Sequence, residues 1–362
     1  MNKHQYDYIV VGAGIIGCAV AYYLSKQSSK VLLIDKLFPA AGASGACNGG
    51  LSYLGKKGEL LDQAVESLLL YKELEKELET DLGKDQKGQI LFFSDTPEQG
   101  QLLEEIVNEC KSRTLDAKLI SGTKVMESFP YLTGSISAGA IAGGGLQGVV
   151  NPFKAICGFL KKTKQNGGML IRNEEAKEIL LQGGMVYGVR TNNGEFRAPA
   201  VVVCTGYEID RLLKPLGLAS EIIATKGTVL VTGKSKMKLK ANLLYAGFLE
   251  NNCHSKVNLA LEQTLDGNIL IGSSAENSLG KEIDNQITSQ IAKTALKSVP
   301  KLKNEHIIRI FSGIRPTRKG GPFIGKIPGI NGLAAAFGHG GMGISLAPYT
   351  GKYLAQLLTG RG

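Results

Sequence analysis

Tryptophan is absent from this 362-residue sequence, and histidine is scarce, with four copies. No histidine falls in a recognised metal-binding motif. The six cysteines (Cys18, Cys47, Cys110, Cys157, Cys204 and Cys253) are widely separated and form no C-x-x-C pair. A zinc centre or an iron–sulfur cluster needs clustered ligands, so these absences speak against both in this chain. Scattered cysteines in apolar segments point to reduced thiols and a cytoplasmic setting. Acidic residues are also in deficit: 32 Asp and Glu against 42 Lys and Arg give a net charge of +10. The excess is dispersed and accompanies no nucleic-acid-binding module, so nucleic acid is not expected as a partner. It concentrates once, where Lys234, Lys236, Lys238 and Lys240 alternate in KSKMKLK. An extended backbone would turn all four to one side. That reads either as a solvated loop or as a docking surface for a partner or an acidic membrane.

Long charge-free runs are few. The one at 8–24 stands behind Lys3, so a signal peptide or a short membrane span has to be weighed. Its glycines and small residues make a poor membrane helix, and no A-x-A-like cleavage site follows. No transmembrane segment is therefore expected.

What that stretch carries is a nucleotide-binding pattern. Residues 8–35 read YIVVGAGIIGCAVAYYLSKQSSKVLLID. An apolar strand runs into Gly12-x-Gly14-x-x-Gly17, a helical segment follows, and a second apolar strand ends in Asp35. Gly17 and Asp35 are 18 residues apart, near the roughly 20 of a dinucleotide-binding βαβ unit. Gly12 allows the tight turn, Gly14 lets backbone approach a pyrophosphate, and Gly17 lets the helix pack on the strand. The helix N-terminus offers unpaired N–H groups to phosphate. Asp35 can accept from a ribose. The chain is thus expected to bind an adenine dinucleotide. Its 47 glycines, nearly twice the usual share of about 7 %, cluster between apolar strands, as an α/β protein with closely approached ligand requires.

The length suits two domains. Helical spacing of apolar residues predicts helices over 62–82, 98–113, 152–165 and 284–298, and a last one from Ile344 through Leu357. Strands are expected at 88–94, 169–172, 176–182, 185–191, 201–204, 225–232, 256–263, 269–272, 307–311 and 333–336. The glycine-rich stretch 138–150 suits a strand crossing between domains. The short strands between 169 and 204 look like a β-meander returning to a parallel sheet, and those between 225 and 272 like a second sheet.

Five segments together resemble the D-amino-acid oxidase superfamily of flavoproteins, in particular glycine oxidase and sarcosine oxidase β-type chains. They are GAGIIGCAVAYYL at 12–24, SGACNGG at 44–50, VVVCTG at 201–206, FSGIRPTRKGGPFIG at 311–325 and GHGGMGISLAPYTGKYLAQLL at 338–358. The segment LEQTLDGNILIGSSAE at 261–276 is similar to β-type subunits of dye-linked proline, hydroxyproline and opine dehydrogenases and of hydrogen cyanide synthase. The resemblance implies an α/β fold: a Rossmann-type FAD-binding domain with a β-sheet-based α+β substrate domain, as in the glutathione-reductase-like FAD fold. The FAD-binding domain is expected to be discontinuous, over 1–85, 146–222 and 308–362, with the substrate domain at 86–145 and 223–307.

The cofactor implied is FAD. Its expected contacts are Gly12, Gly14, Ile15, Ile16, Gly17, Asp35 and Lys36. Ala43, Ser44, Asn48, Gly49 and Gly50 follow, small residues whose loop would let amides reach the pyrophosphate and the flavin edge. Thr205 and Gly206 end an apolar strand, where ligands collect in such sheets. Ala176 matches the position where the family's backbone meets adenine. His339, Gly340, Gly341, Met342, Gly343 and Ile344 form a loop entering a helix, whose N-terminus favours negative charge on a reduced flavin. His339 reads as a turn-stabilising imidazole or as a base. Arg315 is the expected catalytic residue and a cofactor contact. Its planar fork matches a carboxylate, and in the resembled family the matching arginine borders flavin and substrate. A surface ion pair is the alternative. Arg318 and Lys319 read as loop charges. Lys226 reads either as a group near the flavin or as a strand-edge lysine.

The chain departs from glycine oxidase in two places. A second arginine has no counterpart in Gly340-Gly341-Met342, and a pocket tyrosine has none in the aliphatic stretch 258–261. Glycine is therefore a poor candidate, and a larger or secondary amino acid fits better. No His or Cys signals covalent flavin attachment. The expected activity is oxidation of an amino acid or secondary amine of D-amino-acid, proline, hydroxyproline, sarcosine or opine type, by hydride transfer to the flavin. The chain would act alone or as the β-type subunit of a complex, peripheral to the membrane if its partners are. Two alternatives remain: a flavin-binding electron-transfer subunit without its own substrate, and a nicotinamide-dependent dehydrogenase.

Overall fold

A computed structural model describes residues 6–27, 29–85, 88–249 and 256–360. Lys3, His4, Cys253 and His254 lie outside them. The central sheet has six strands, five of them parallel. β1 (Tyr8–Val11) pairs in parallel with β2 (Val31–Ile34) and with β12 (Ala200–Val203). β8 (Met169–Ile171) continues in parallel beyond β2, and β19 (Leu333–Phe337) beyond β12. β18 (Phe323–Lys326) closes the β19 edge antiparallel. These strands are apolar almost throughout because both faces are covered. Val10, Leu33, Val202 and Ala334 face the cluster built from α1 (Ile15–Ser25), α2 (Gly58–Leu78), α5 (Pro152–Gln165) and α8 (Gly343–Thr359). Ile9, Val11, Leu32, Ile34, Val201 and Val203 face the other way. There they meet the meander of β9 (Ala176–Gln182), β10 (Met185–Thr191) and β11 (Gly194–Arg197), and α6 (Asp210–Leu213). β1 and α1 together dispose of the run at 8–24 as a buried strand–turn–helix. No described helix is long and apolar enough to cross a membrane.

The second sheet has eight strands in the order β17 (Ile307–Arg318), β13 (Ile222–Lys234), β16 (Asn268–Ser274), β15 (Val257–Gln263), β14 (Asn242–Tyr245), β4 (Ile90–Ser94), β6 (Ala138–Ala142) and β5 (Ala117–Ser121). One face packs on α7 (Asn285–Ser298) and α4 (Gly122–Ser128) through Leu91, Leu243, Leu261, Ile269, Ile287 and Ile291. α3 (Pro97–Lys111) covers β5 and β6. A separate two-stranded ribbon pairs β3 (Gly50–Leu51) with β7 (Gly148–Val149) antiparallel.

Several elements differ from expectation. α2 starts four residues earlier than expected and stops at Leu78, where Glu79 turns left-handed at φ 47°. The stretch 138–150 is two strands: β6 belongs to the eight-stranded sheet and β7 to the ribbon. β11 was not anticipated. β17 does not end near 311 but pairs with β13 from Ile307 to Arg318. The expected boundary at 308 therefore cuts a strand of the second sheet, and Arg315 stands on that sheet. On sheet membership we propose that the substrate domain takes in 307–318. In KSKMKLK the four lysines point outward while Ser235 is buried and Met237 and Leu239 pack against the core. The segment is anchored by every second residue, which leaves the lysines outward.

Candidate active site

The parallel sheet and the free face of the eight-stranded sheet enclose a cleft of about 660 Å³. Its first wall is set by glycine geometry at the end of β1. Gly12 has φ +104°, and a Cβ there would lie 2.5 Å from the Cys204 carbonyl oxygen. A Cβ on Gly17 would lie 1.9 Å from the Gly12 carbonyl oxygen. Gly17 is thus the residue that seats α1 against the turn, and it alone of the expected contacts does not line the cleft. Gly14 is the extended N-cap of α1 with no side-chain cap of its own. Ser44 supplies an acceptor from outside: Ile15 N–H donates to its Oγ at 2.9 Å.

Asp35 closes the end of β2. Its Oδ2 accepts from Ala13 N–H at 2.6 Å and its Oδ1 from Leu37 N–H at 2.8 Å. The carboxylate ties the two βα turns together and still has lone pairs for a ribose. Lys36 is held in an ion pair with Glu208 at 2.5 Å, and Ala176 lines the same end. At the end of β12, the buried Thr205 hydroxyl has no partner among the described residues. Beside it Gly206, at φ +62°, leaves open space where a Cβ would be. An unpaired buried hydroxyl costs free energy unless something fills the cleft and bonds it. Ala43 and Ser44 lie on a short 3-10 turn, and Asn48, Gly49 and Gly50 run into β3.

The far end comes from the C-terminal third of the chain. Arg315, on edge strand β17, crosses over β13. Its Nη1 donates to the Ser274 carbonyl oxygen at 2.9 Å and its Nη2 to Ser273 Oγ at 2.6 Å. Among the described residues no carboxylate pairs with it, so the surface-ion-pair alternative falls. Burial lowers its pKa, yet an arginine starts so high that it keeps its charge. His339 is 3 % exposed, bonds Thr350 Oγ1 through Nε2 at 3.1 Å, and is pushed by burial down to about 4. It is a neutral ring tying the loop to α8. Gly340, Gly341 and Met342 form a 3-10 turn, and Gly343 and Ile344 begin α8. All of these line the cleft. Lys226 does not. Its ammonium pairs with Glu276 at 3.2 Å and donates to the Glu282 carbonyl oxygen at 2.9 Å, which leaves it as a buried structural lysine. Arg318 lies 3.8 Å from Glu221 at the surface.

Sequence reasoning missed several ionisable residues of the cleft, Lys56 and Glu262 among them. Lys56 is buried, donates to the Ser52 carbonyl oxygen at 2.6 Å, and is lowered by burial to about 8. Glu262, on β15, is 9 % exposed and is raised by burial to about 7. The only available signal was alternation: Asn258, Ala260 and Glu262 share one side of β15.

A βαβ turn with an acid at its second strand, a glycine-lined cleft with an orphaned hydroxyl, and a C-terminal helix aimed into the same space define a dinucleotide-binding flavoprotein. The sequence comparisons agree. The model of the FAD dependent oxidoreductase family matches residues 7–357, so the chain belongs to this D-amino-acid-oxidase-type family. It is an oxidoreductase whose cofactor is FAD, and the nicotinamide alternative falls. Glycine oxidase of Bacillus subtilis is 26 % identical, covering 98 % of this chain and 94 % of its own. Hydrogen cyanide synthase subunit HcnC of Pseudomonas protegens is 27 % identical, covering 99 % and 93 %. Among solved structures, L-proline dehydrogenase from P. horikoshii superposes with a TM-score of 0.89 at 22 % identity, over 99 % of this chain and 94 % of that one. This is a likeness of fold.

Proposed function

We propose that this chain oxidises a small amino acid or secondary amine, of D-amino-acid, proline, hydroxyproline, sarcosine or opine type. The observation that carries the proposal is the Arg315 guanidinium in the cofactor cleft, hydrogen-bonded on one side to β16 and free of any anionic partner among the described residues. A buried cation without an anion is costly, and a substrate carboxylate relieves it through a charge-assisted pair. Bound FAD would supply the acceptor for hydride from the carbon next to nitrogen. Gly12, Gly14 and the α1 N-terminus would hold its pyrophosphate, Asp35 its ribose, and the loop from His339 to Gly343 its pyrimidine end. Arg315 orients the substrate, and the apolar walls of Phe92, Leu244 and Ala260 exclude water from the reacting atoms. The absence of a second arginine at 340–342 favours a larger amine over glycine.

The test is spectroscopic. The purified holoprotein is mixed without oxygen with sarcosine, L- and D-proline, hydroxyproline, D-alanine and octopine, and flavin absorbance is followed. Bleaching by one of them supports the proposal. An unbleached flavin with every amine and amino acid leaves an electron-transfer role instead. Since HcnC is by its name a subunit, a partner chain belongs to the same proposal, tested by co-purification from the native source.

A further inference from the structure

The cleft face of the eight-stranded sheet carries two opposed charges at different depths. Arg315 is one, on β17. The other is Glu262, three strands away in the sheet order β17-β13-β16-β15. Glu262 is boxed in. A Cβ on Gly50 would lie 2.3 Å from its Oε1, so only glycine at that position leaves room for the carboxyl. The Asn48 side chain donates one hydrogen bond to it. Its Oε2 is buried and has no partner among the described residues. The flanking strands β14 and β16 offer no charge to balance it. Tyr245, the one titratable residue on them, is engaged with Asp95 at 2.5 Å. From the 47–51 segment comes only the Cys47 thiol, which burial pushes up to about 12 and keeps neutral. Lys56, His339 and Arg315 line the same cleft. Lys56 and Arg315 are hydrogen-bonded to backbone or Ser273, and His339 to Thr350. Gln263, the next residue on β15, turns away and satisfies the backbone of the 237–239 loop.

An acceptor oxygen nine-tenths buried, aimed into a substrate cleft and left without a donor, is costly in the empty protein. Its complement is a ligand that brings N–H groups and positive charge. An α-amino acid brings both, at one carbon's distance from the carboxylate that Arg315 is suited to hold. We propose that Glu262 receives the cationic amine of the substrate and takes a proton from it. The N–H bond of the ammonium breaks, an O–H bond forms on Oε2, and the opposed charges become a neutral amine and a neutral carboxylic acid. The amine lone pair is thereby freed before the carbon–hydrogen bond is broken. This deepens the amino-acid reading of the site and rests on it.

The test uses the FAD-loaded protein and ligands that cannot be oxidised because they lack an α-hydrogen. These are 2-methylproline and 2-aminoisobutyrate, with 2-methyltetrahydrofuran-2-carboxylate as the ether counterpart that has a carboxylate and no amine. Binding is read from the perturbed flavin spectrum. Proton release is read by calorimetry in buffers of different ionisation heat. The expected result is release of about one proton per ammonium ligand at pH 6, falling toward none at pH 8.5 as Glu262 is already ionised. The ether acid releases none. Glu262→Gln abolishes the release and weakens the ammonium ligands about 10–100-fold, with the ether acid changed less than about threefold. Ammonium ligands that bind without releasing a proton, and equally well to Glu262→Gln, overturn the inference and leave the amino-acid reading standing. Binding of the ether acid alone also overturns it. If no ligand of either kind perturbs the flavin, the amino-acid reading falls and the inference with it. If Glu262→Gln fails to fold, the wild-type count still tests whether Glu262 meets the ammonium: release at pH 6 that does not fall by pH 8.5, or no release at all, overturns the inference.

Discussion

The guanidinium of Arg315 occupies the space that a side chain on Gly227 would need. A Cβ on Gly227 would lie 2.2 Å from Nη2 and 2.4 Å from Nη1. The two residues sit on paired strands, β13 and β17, and the glycine lets the arginine lie flat across the sheet toward Ser273 and Ser274. Gly227→Ala therefore swings the guanidinium out of the cleft without touching the FAD half of the site. The expected outcome is an unchanged flavin content and a binding loss for carboxylate ligands of roughly 10–100-fold, the worth of a charge-assisted pair. Flavin absorbance and titration with a carboxylate ligand measure the two separately.

Gly17→Ala acts at the other end. Its Cβ would meet the Gly12 carbonyl oxygen at 1.9 Å; that oxygen is backbone and a Cβ has no rotamer to escape by, so α1 must move. Overpacking of this kind costs about 1–3 kcal/mol. Thermal unfolding should show that loss, together with weaker FAD retention, because the helix N-terminus is displaced from its turn.

Thr205→Val removes the orphaned hydroxyl while keeping the side-chain shape. The FAD-free protein should become equally or more stable, by up to about 1 kcal/mol, because a buried unsatisfied group is gone. FAD affinity should fall about tenfold. A hydroxyl with a purely structural role predicts destabilisation of the FAD-free protein instead, and unfolding curves with and without FAD distinguish the two.

His339 and Glu262 give the FAD-free protein opposite pH dependences. His339 has a folded pKa near 4, below its unfolded value of about 6.5. Its share of stability is full above pH 6.5 and is lost as pH falls toward 4, about 3 kcal/mol across the window. His339→Gln should flatten that acid limb. Glu262 has a folded pKa near 7, above its unfolded value of about 4.3. Its share is full below pH 4.3 and is lost as pH rises to 7. Glu262→Gln should therefore stabilise the FAD-free protein at pH 8 and leave it nearly unchanged at pH 4. Urea unfolding of each variant across pH 4–8 measures both.

The nucleotide half of the site was legible because its demands fall on the backbone. Gly12 and Gly17 are written into the sequence by close approaches no other residue permits. Arg315 was legible as a lone cation in an apolar setting. Its strand was not. Gly313 and Pro316 look like strand breakers, yet β17 is an edge strand, where proline is tolerated. Glu262 was illegible for a different reason. Within the strand expected at 256–263 nothing singles it out, and its burial is made by Gly50, more than two hundred residues earlier in the chain. No local pattern records a lid supplied from so far away.

The packing of α1 against α8 has a consequence for how the chain is made. Ten of the eleven residues of α1 are buried, and Gly351 of α8 approaches the backbone at Ala19 so closely that a Cβ would lie 2.7 Å away. The two helices are separated by roughly 320 residues of sequence. At about 5–20 residues per second on the ribosome, the apolar surface of α1 waits tens of seconds for its cover. Cofactor capture is thus a late event in the life of the nascent chain, and the interval before it is when a chaperone has most to protect.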